Sequence, residues 1–273
     1  MKKAKMNRKY SQARCCPTLL LPVFLLAGCV ACLSGQSTVA ISQDLDKCKS
    51  APTCNDQGLA LLRTGHYFEA GILFRRAIEI APDFTVAYGN LGTTYIMTDR
   101  LREAVGLLEQ ITRVKPDYAE AYCILGEAYY RLGEGHKALA AFQRTLSLKP
   151  GLAETQNGLG RSYHILGRHD RAIEAFQRAV QLDPKDASAY NNLGVELSDK
   201  GQFQAAVAAF ERALEIKPTN AIARFNLGIT YLKMKRRDAA LTQTRMLRDI
   251  DQDLADKLYA GVYQGKILSL KSK

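Results

Sequence analysis

The sequence lacks the patterns that mark a β-sheet or an active site. Its 273 residues contain no alternating runs of β-branched residues and no pair of such runs joined as a hairpin, which predicts an all-α fold. No nucleophile motif, phosphate-binding loop or metal-ligand spacing is present. A polar surface becomes an active site only with a positioned acid, base or nucleophile. We therefore predict that the chain is not an enzyme and binds no cofactor.

Histidine is scarce, and its spacing does not suggest a metal site. His164 and His169 are five residues apart across Gly167, whereas two ligands on one helix face are typically four apart. His66 and His136 each follow a turn position, where exposed polar residues are expected. The cysteines do not form the two matched pairs that bind zinc. We expect no metal.

The net charge of +11 does not by itself indicate a nucleic-acid partner. Residues 1–28 contain six basic residues and no acidic one, which leaves a net charge of +5 for the rest of the chain. That remainder forms no basic stripe interleaved with aromatic residues, so we expect a solvated surface and no nucleic acid.

Most of the chain consists of one 34-residue unit repeated six times without a gap. Position 8 of every unit is glycine and position 20 is alanine, while phenylalanine occupies position 24 of four units and proline position 32 of five. A fixed period of this size indicates a repeat architecture. These segments, called repeats 1 to 6, are residues 51–84, 85–118, 119–152, 153–186, 187–220 and 221–254.

The apolar positions of each unit predict two helices. Positions 4, 7, 8 and 11 form one helical stripe, and positions 20, 24 and 27 form a second. Glycine at position 15 of four units ends the first helix, and proline at position 32 stops the second. We expect glycine 8 and alanine 20 to be small because the two helices approach most closely there.

In length and in these positions the unit resembles the tetratricopeptide repeat (TPR) family of helix–turn–helix repeats. The resemblance covers residues 51–254 and implies a right-handed superhelical solenoid of six repeats. Residues 255–273 carry apolar residues at helical spacing and are predicted to be a capping helix, ending near Gly265, and a tail. In repeat 6, Thr244 and Gln252 replace the usual phenylalanine and proline, which predicts a longer second helix running toward the cap.

The first 28 residues have the layout of a secretory signal peptide, with a basic start followed by an apolar run at 15–33. The sequence Leu-Ala-Gly-Cys at 26–29 resembles the lipobox of bacterial lipoproteins, which implies cleavage before Cys29 and lipidation of that residue. Because Val30 follows, the outer membrane is favoured in a cell with two membranes. The alternative is an uncleaved transmembrane anchor, since the apolar run just reaches a spanning length. Both place the repeats on the non-cytoplasmic side of the bacterial envelope.

Residues 29–50 are predicted to be a tether between the membrane and the repeats. Cys48 and Cys54 lie near its end. Outside the cytoplasm they can form a disulfide that joins the tether to the first helix. Alternatively, Cys54 is a reduced core residue at a position where three other repeats have tyrosine. The sequence leaves both alternatives open.

In the TPR family the first helices of successive repeats line a concave groove, through positions 2, 5, 9, 12 and 13. Transferred to this sequence, the resemblance implies a polar groove of mixed charge in repeats 3 to 5, where asparagines can both donate to and accept from a peptide backbone. Position 5 has no lysine and position 9 no asparagine, so the resemblance does not extend to the carboxylate clamp of chaperone-binding TPR domains. The candidate partner-binding residues are Glu120, Cys123, Glu127, Tyr130, Arg131, Glu154, Asn157, Arg161, His164, Ser188, Asn191 and Asp199.

Together these features predict an exported, membrane-anchored scaffold that binds protein partners through its groove. Its predicted role is assembly of an envelope complex, such as pilus or secretion machinery, or docking of cell-wall enzymes. One alternative is a self-associating structural subunit, in which the apolar ends of the solenoid matter more than the groove. Another is a non-catalytic subunit of an enzyme complex. The sequence leaves the partner and the oligomeric state open.

Overall fold

The computed structural model describes residues 48–264, which fold into helices and divide into two compact units. Unit 1 ends at Pro150, and unit 2 begins at Gly151. No strand occurs between residues 48 and 264, so the predicted all-α class is confirmed for the described residues. The predicted signal peptide, almost all of the tether and the C-terminal tail lie outside the described residues.

The helices alternate along the chain as the first and second members of each pair. Unit 1 contains α1 (Ala51–Arg63), α2 (Tyr67–Ile80), α3 (Thr85–Met97), α4 (Leu101–Val114), α5 (Ala119–Arg131) and α6 (Gly135–Leu148). Unit 2 contains α7 (Ala153–Ile165), α8 (His169–Leu182), α9 (Ala187–Asp199), α10 (Phe203–Ile216), α11 (Ala221–Lys233), α12 (Arg237–Arg248) and α13 (Gln252–Gln264). Within each unit, every helix packs on the next one along the chain. Among these thirteen helices, none combines the length and the apolarity needed to cross a bilayer.

A residue in the left-handed conformation ends the first helix of every repeat, as the glycines at position 15 predict. Four repeats use glycine there, with φ between 68° and 83°. Asp99 and Lys235 adopt the same conformation in repeats 2 and 6, with φ of 59° and 60°. The turn geometry of the repeat is therefore kept even where the residue has a Cβ atom, at a steric cost to that residue.

Glycine at position 8 is required by the side chain at position 24. A Cβ atom on Gly160 would lie 2.5 Å from Cε1 of Phe176, and the phenylalanine ring is buried. The same close approach joins Gly58 to Phe74, and it recurs at Gly126 and Gly194 with their own position-24 rings. The sequence-based explanation paired glycine 8 with alanine 20. It therefore missed the phenylalanine ring at position 24, which leaves no room for a side chain at position 8.

Repeat 6 ends differently from the expectation. Helix α12 stops at Arg248 and has 12 residues, so the predicted longer helix is wrong. The backbone N–H groups of Ile250 and Asp251 both donate to the carbonyl of Leu247, which closes a turn, and the Asp251 side chain then accepts from the N–H of Leu254 at 3.0 Å. This aspartate starts α13 as a cap, because its carboxylate satisfies a free donor of the first helical turn.

Helix α13 supplies the core residue that repeat 6 lacks. Thr244 stands at position 24, and its hydroxyl donates to the carbonyl of Ala240 within its own helix. Leu258 of α13 is fully buried and approaches Gly228, at the place that position 24 fills in the other repeats. It packs with Phe225 and Leu247. The cap therefore completes the last helix pair as well as covering it.

Candidate partner-binding surface

In unit 1 the predicted groove residues lie on α5, where one charged pair is held between two helices. Glu127 is buried, and its Oε1 atom accepts from Nε of Arg131 at 3.1 Å. Nη1 of Arg131 donates to the carbonyl oxygen of Ile96, on α3, at 3.3 Å. Because both ends of the guanidinium are engaged by the protein, its orientation is set before any partner arrives.

The other predicted residues of α5 differ in accessibility. Glu120 is half-buried and accepts from Nζ of Lys149 at 3.2 Å, while Tyr130 is also half-buried. Cys123 is only 1% exposed, so its side chain lies beneath the surface and cannot contact a partner there. The position-by-position transfer from the TPR family is therefore misleading at this cysteine.

In unit 2 each predicted asparagine bonds to an asparagine of the next repeat. Oδ1 of Asn157 accepts from Nδ2 of Asn192 at 2.9 Å, and Nδ2 of Asn157 donates to Asp186 at 3.3 Å. Oδ1 of Asn191 accepts from Nδ2 of Asn226 at 3.0 Å. We call this series the asparagine ladder. These amides were predicted to grip a partner's backbone, but the structure uses them first to join α7 to α9 and α9 to α11.

The ladder has a counterpart in unit 1, where Nδ2 of Asn90 donates to Oδ1 of the buried Asn55 at 2.7 Å. In all three pairs an asparagine at position 5 bonds to an asparagine at position 6 of the next repeat, 35 residues later. This offset is visible in the sequence and was missed there. In these three pairs position 5 lies at the contact between consecutive first helices.

The remaining predicted residues of unit 2 lie on α7 and α9. Glu154 and Arg161 are half-buried on α7, and Ser188 is half-buried at the start of α9. Asp199 is exposed at the end of α9 and pairs with Nζ of Lys233 at 3.0 Å. The two units therefore each carry a polar first-helix surface, part of which is accessible and part of which is bonded within the protein.

Two histidines and a buried glutamate meet in unit 2, a cluster that was not predicted. Nδ1 of His164 is in hydrogen-bond contact with Oε1 of Glu196, and Nδ1 of His169 lies 2.9 Å from Oε2 of the same carboxylate. The rings are 6.1 Å apart between centroids and nearly perpendicular. Sequence reasoning separated the histidines because they do not share a helix face. The turn at Gly167 brings both toward α9, the next first helix along the chain.

The electrostatics of the cluster follow from the burial of Glu196. Its side chain is 2% exposed, whereas those of His164 and His169 are 35% and 43% exposed. The hydrogen bond to Glu196 raises the pKa of His164; burial opposes this, and the negative charges of Glu196 and Asp199 raise the pKa further. The cluster thus favours positive charge next to the buried carboxylate.

At the start of unit 1, Cys48 and Cys54 are joined in a disulfide, and both are buried. The bridge joins Cys48, which precedes α1, to Cys54 within α1, and it packs with Leu73 and Ala87. Cys48 is thereby fixed to the first repeat. Cys29, the predicted lipidation site, lies outside the described residues.

A hollow of about 280 Å³ lies between α2 and α3 in unit 1. Phe68 and Ile72 line it, and Phe68 is 67% exposed. Its polar rim includes Arg75, whose Nη2 atom donates to the hydroxyl of Tyr95 at 3.2 Å. The hollow is an apolar feature outside the predicted groove residues.

Comparison with known proteins places most of the chain in one family. Two models of the tetratricopeptide repeat match it, one at residues 117–185 and 151–219 and the other at 61–126 and 197–264. Together the matches span residues 61–264, which is more than half of the chain. No curated protein matches the sequence.

Solved structures share the fold. A crystal structure of MamA is 24% identical, with a TM-score of 0.55 over 61% of this chain and 97% of that one. PilF of Pseudomonas aeruginosa is 16% identical, with a TM-score of 0.67 over 79% of this chain and 98% of PilF. YrrB, described as a TPR protein with an unusual peptide-binding site, is 26% identical, with a TM-score of 0.53 over 67% of this chain and 95% of YrrB.

Proposed function

Because this chain belongs to the tetratricopeptide repeat family, we propose that it is a scaffold that binds protein partners and catalyses no reaction. The observation that carries the proposal is the fixed polar surface of the first helices. In unit 1, Arg131 is held by Glu127 and by the carbonyl of Ile96. A partner that meets side chains already in place loses less conformational entropy on binding than one that must order them.

The ligand is proposed to be an extended peptide or a helix of a partner protein. Such segments offer backbone and side-chain groups of both charge signs, and the first-helix surface of unit 2 presents Arg161 and Asp199 together with Ser188. The description of YrrB as peptide-binding supports this choice for a protein of similar fold. In this proposal the asparagine ladder joins the repeats, and the more accessible residues around it contact the partner.

The site of action is proposed to be the bacterial cell envelope. The basic start, the apolar run at 15–33 and the Leu-Ala-Gly-Cys sequence support export and lipidation at Cys29. The disulfide between Cys48 and Cys54 supports a location outside the reducing cytoplasm. In this setting the chain would bring together components of an envelope complex, such as pilus or secretion machinery, or would dock cell-wall enzymes.

Self-association is the second candidate function, and one observation favours it. Phe68 is 67% exposed beside the apolar hollow of unit 1, and exposed apolar surface of this kind often marks a protein contact. Light scattering of the full chain over a range of concentrations, with Phe68→Ser for comparison, separates this role from the scaffold. A size that rises with concentration in the native chain alone supports self-association.

The partner-binding surface is tested by crosslinking in intact cells, followed by purification of the chain and identification of captured proteins. The variant Ser188→Arg/Asp199→Lys adds bulk and positive charge to α9 and removes the ion pair of Asp199 with Lys233, and it changes no residue of the asparagine ladder. The control Gln177→Arg/Glu174→Lys makes the same charge changes on the exposed face of α8. It likewise removes one surface ion pair, the pair between Glu174 and Arg171. We expect specific envelope proteins with the native chain and the control, and their loss from the α9 variant. Equal capture by all three chains would show that partners bind elsewhere.

Lipidation is tested by growing cells with a labelled fatty acid. We expect Cys29→Ala to abolish labelling of the chain, while Cys32→Ala, which changes a cysteine three residues away, retains it. Labelling that persists in Cys29→Ala would refute lipidation at this residue. An unlabelled native chain that stays in the membrane fraction would favour the uncleaved anchor.

A further inference from the structure

The cluster of His164, His169 and Glu196 combines three side chains of the kind that bind transition metals. Each offers one ligand atom, and these atoms all lie within 4.8 Å of one another. The residues come from α7, from the first position of α8 and from α9, so three rigid helices hold them. Donors on rigid elements keep their geometry better than donors on loops.

The spacing of the donors fits a small tetrahedral ion. Zinc binds nitrogen and carboxylate oxygen at about 2.0–2.2 Å, which places neighbouring ligand atoms of a tetrahedron about 3.4 Å apart. Nδ1 of His169 and Oε2 of Glu196 are 2.9 Å apart. Rotation of the imidazole rings would open this distance for an ion to lie between the donors.

The burial of Glu196 provides the electrostatic reason for a cation. A carboxylate removed from water needs a compensating partner, and both oxygens of this side chain face imidazole nitrogens. Asp170 and Asp199 add negative charge beside the two histidines, although Lys200 pairs with Asp170 at 2.8 Å and Lys233 pairs with Asp199 at 3.0 Å. A divalent ion would neutralise the buried carboxylate directly.

We propose that His164, His169 and Glu196 form a binding site for a divalent transition-metal ion, with Zn²⁺ as the ion that fits best. Two imidazoles and one carboxylate are a known zinc donor set, which leaves a fourth position for water. Mg²⁺ and Ca²⁺ prefer oxygen ligands throughout and fit the two histidines poorly. The exposed fractions of 35% for His164 and 43% for His169 give an ion a route to the site.

The test uses the full chain in mild detergent. The free cysteines are alkylated without reductant, so that thiols cannot bind zinc and the disulfide remains, and bound metal is removed with a chelator. Titration calorimetry with ZnCl₂ is expected to give one ion per chain. Mutation of a residue that only hydrogen-bonds to a metal ligand typically weakens metal binding by about 10- to 100-fold. Loss of a ligand itself, in His164→Gln, His169→Gln or Glu196→Gln, should therefore weaken zinc binding by at least about tenfold.

The control variant is His136→Gln, which removes an exposed histidine of unit 1 and should bind zinc like the native chain. Circular dichroism of every variant checks folding. If Glu196→Gln does not fold, His169→Gln decides the result, because its side chain is the most exposed of the three. The proposal is overturned if the native chain binds no stoichiometric zinc or if the ligand variants bind as tightly as the control. Mg²⁺ binding as tight as that of Zn²⁺ would also refute it.

Discussion

Substituting the glycine at position 8 tests the packing that defines each repeat. In Gly160→Ala the new Cβ atom would lie 2.5 to 2.7 Å from three atoms of the Phe176 ring, which is closer than side chains pack. The ring is 1% exposed, so it can move only against the surrounding core. Either the ring or α7 must shift, and both are held by the surrounding core.

Two opposing terms set the size of the effect. Overpacking a filled core costs about 1–3 kcal/mol, and three simultaneous ring contacts place this site at the upper end. Replacing glycine by alanine inside a helix contributes about 1 kcal/mol in the other direction, because the unfolded chain loses freedom. We expect Gly160→Ala to lower the free energy of unfolding by about 1–2 kcal/mol.

Gly106→Ala is the matched control. Gly106 lies within α4, and a Cβ atom there would have no neighbour within 4 Å. Only the helix-propensity term applies, so this variant should be stabilised by about 0.5–1 kcal/mol. Denaturant unfolding of the full chain, followed by circular dichroism, should therefore move in opposite directions for the two substitutions.

The reasoning also predicts a rescue. In repeat 2, Leu108 occupies position 24, and a Cβ atom on Gly92 would lie 3.0 Å from it, a less severe contact. Phe176→Leu should therefore lessen the cost of Gly160→Ala, so that the double variant loses less stability than the sum of the singles. Equal stability of Gly160→Ala and Gly106→Ala, or strict additivity with Phe176→Leu, would refute the claim that the ring excludes a side chain at position 8.

Three further predictions concern contacts within each unit. Asn191→Ala and Asn226→Ala should each lower the free energy of unfolding by about 1 kcal/mol, and the double variant should cost less than their sum; additive losses in denaturant unfolding would count against the ladder bond. Leu258→Ala should destabilise repeat 6 by about 2–5 kcal/mol, seen as lost hydrogen-exchange protection in α11 and α12, and unchanged protection there would contradict its role as the missing core residue. Reducing the Cys48–Cys54 disulfide should destabilise α1 by about 2 kcal/mol, as expected for a short closed loop, and an unaltered melt in dithiothreitol would argue that the bridge contributes nothing.

Much of the fold could be predicted because each feature depends on residues close together in the sequence. The glycines at position 15 end the first helices as expected from local backbone preference. Asp99 and Lys235 take the same conformation without being glycine, which residue type alone does not reveal. In both turns the backbone N–H donates to the carbonyl three residues earlier, from Asp99 to Ile96 and from Lys235 to Leu232.

The candidate site was less predictable because it depends on contacts between repeats. Transfer of the TPR family's groove positions placed Cys123 on the groove surface, but the cysteine is buried. The meeting of His164 and His169 on Glu196 requires the turn at Gly167 and the packing of α9, neither of which helical periodicity describes. The asparagine ladder could have been found in the sequence, because its bonded asparagines are 35 residues apart. The pattern appears only when position 5 of one repeat is compared with position 6 of the next.

The placement of Leu258 has a consequence for the order in which the chain can fold during synthesis. Repeats 1 to 5 carry their own large residue at position 24, so each helix pair has its core residue once its second helix has been made. Repeat 6 has Thr244 at this position, so its core is incomplete until Leu258 of α13, the next helix, has been made. Because chains fold from the N-terminus as they emerge, a chain that stopped after α12 would leave Phe225 and Leu247 uncovered. The core of repeat 6 can therefore close only after synthesis has passed through α13.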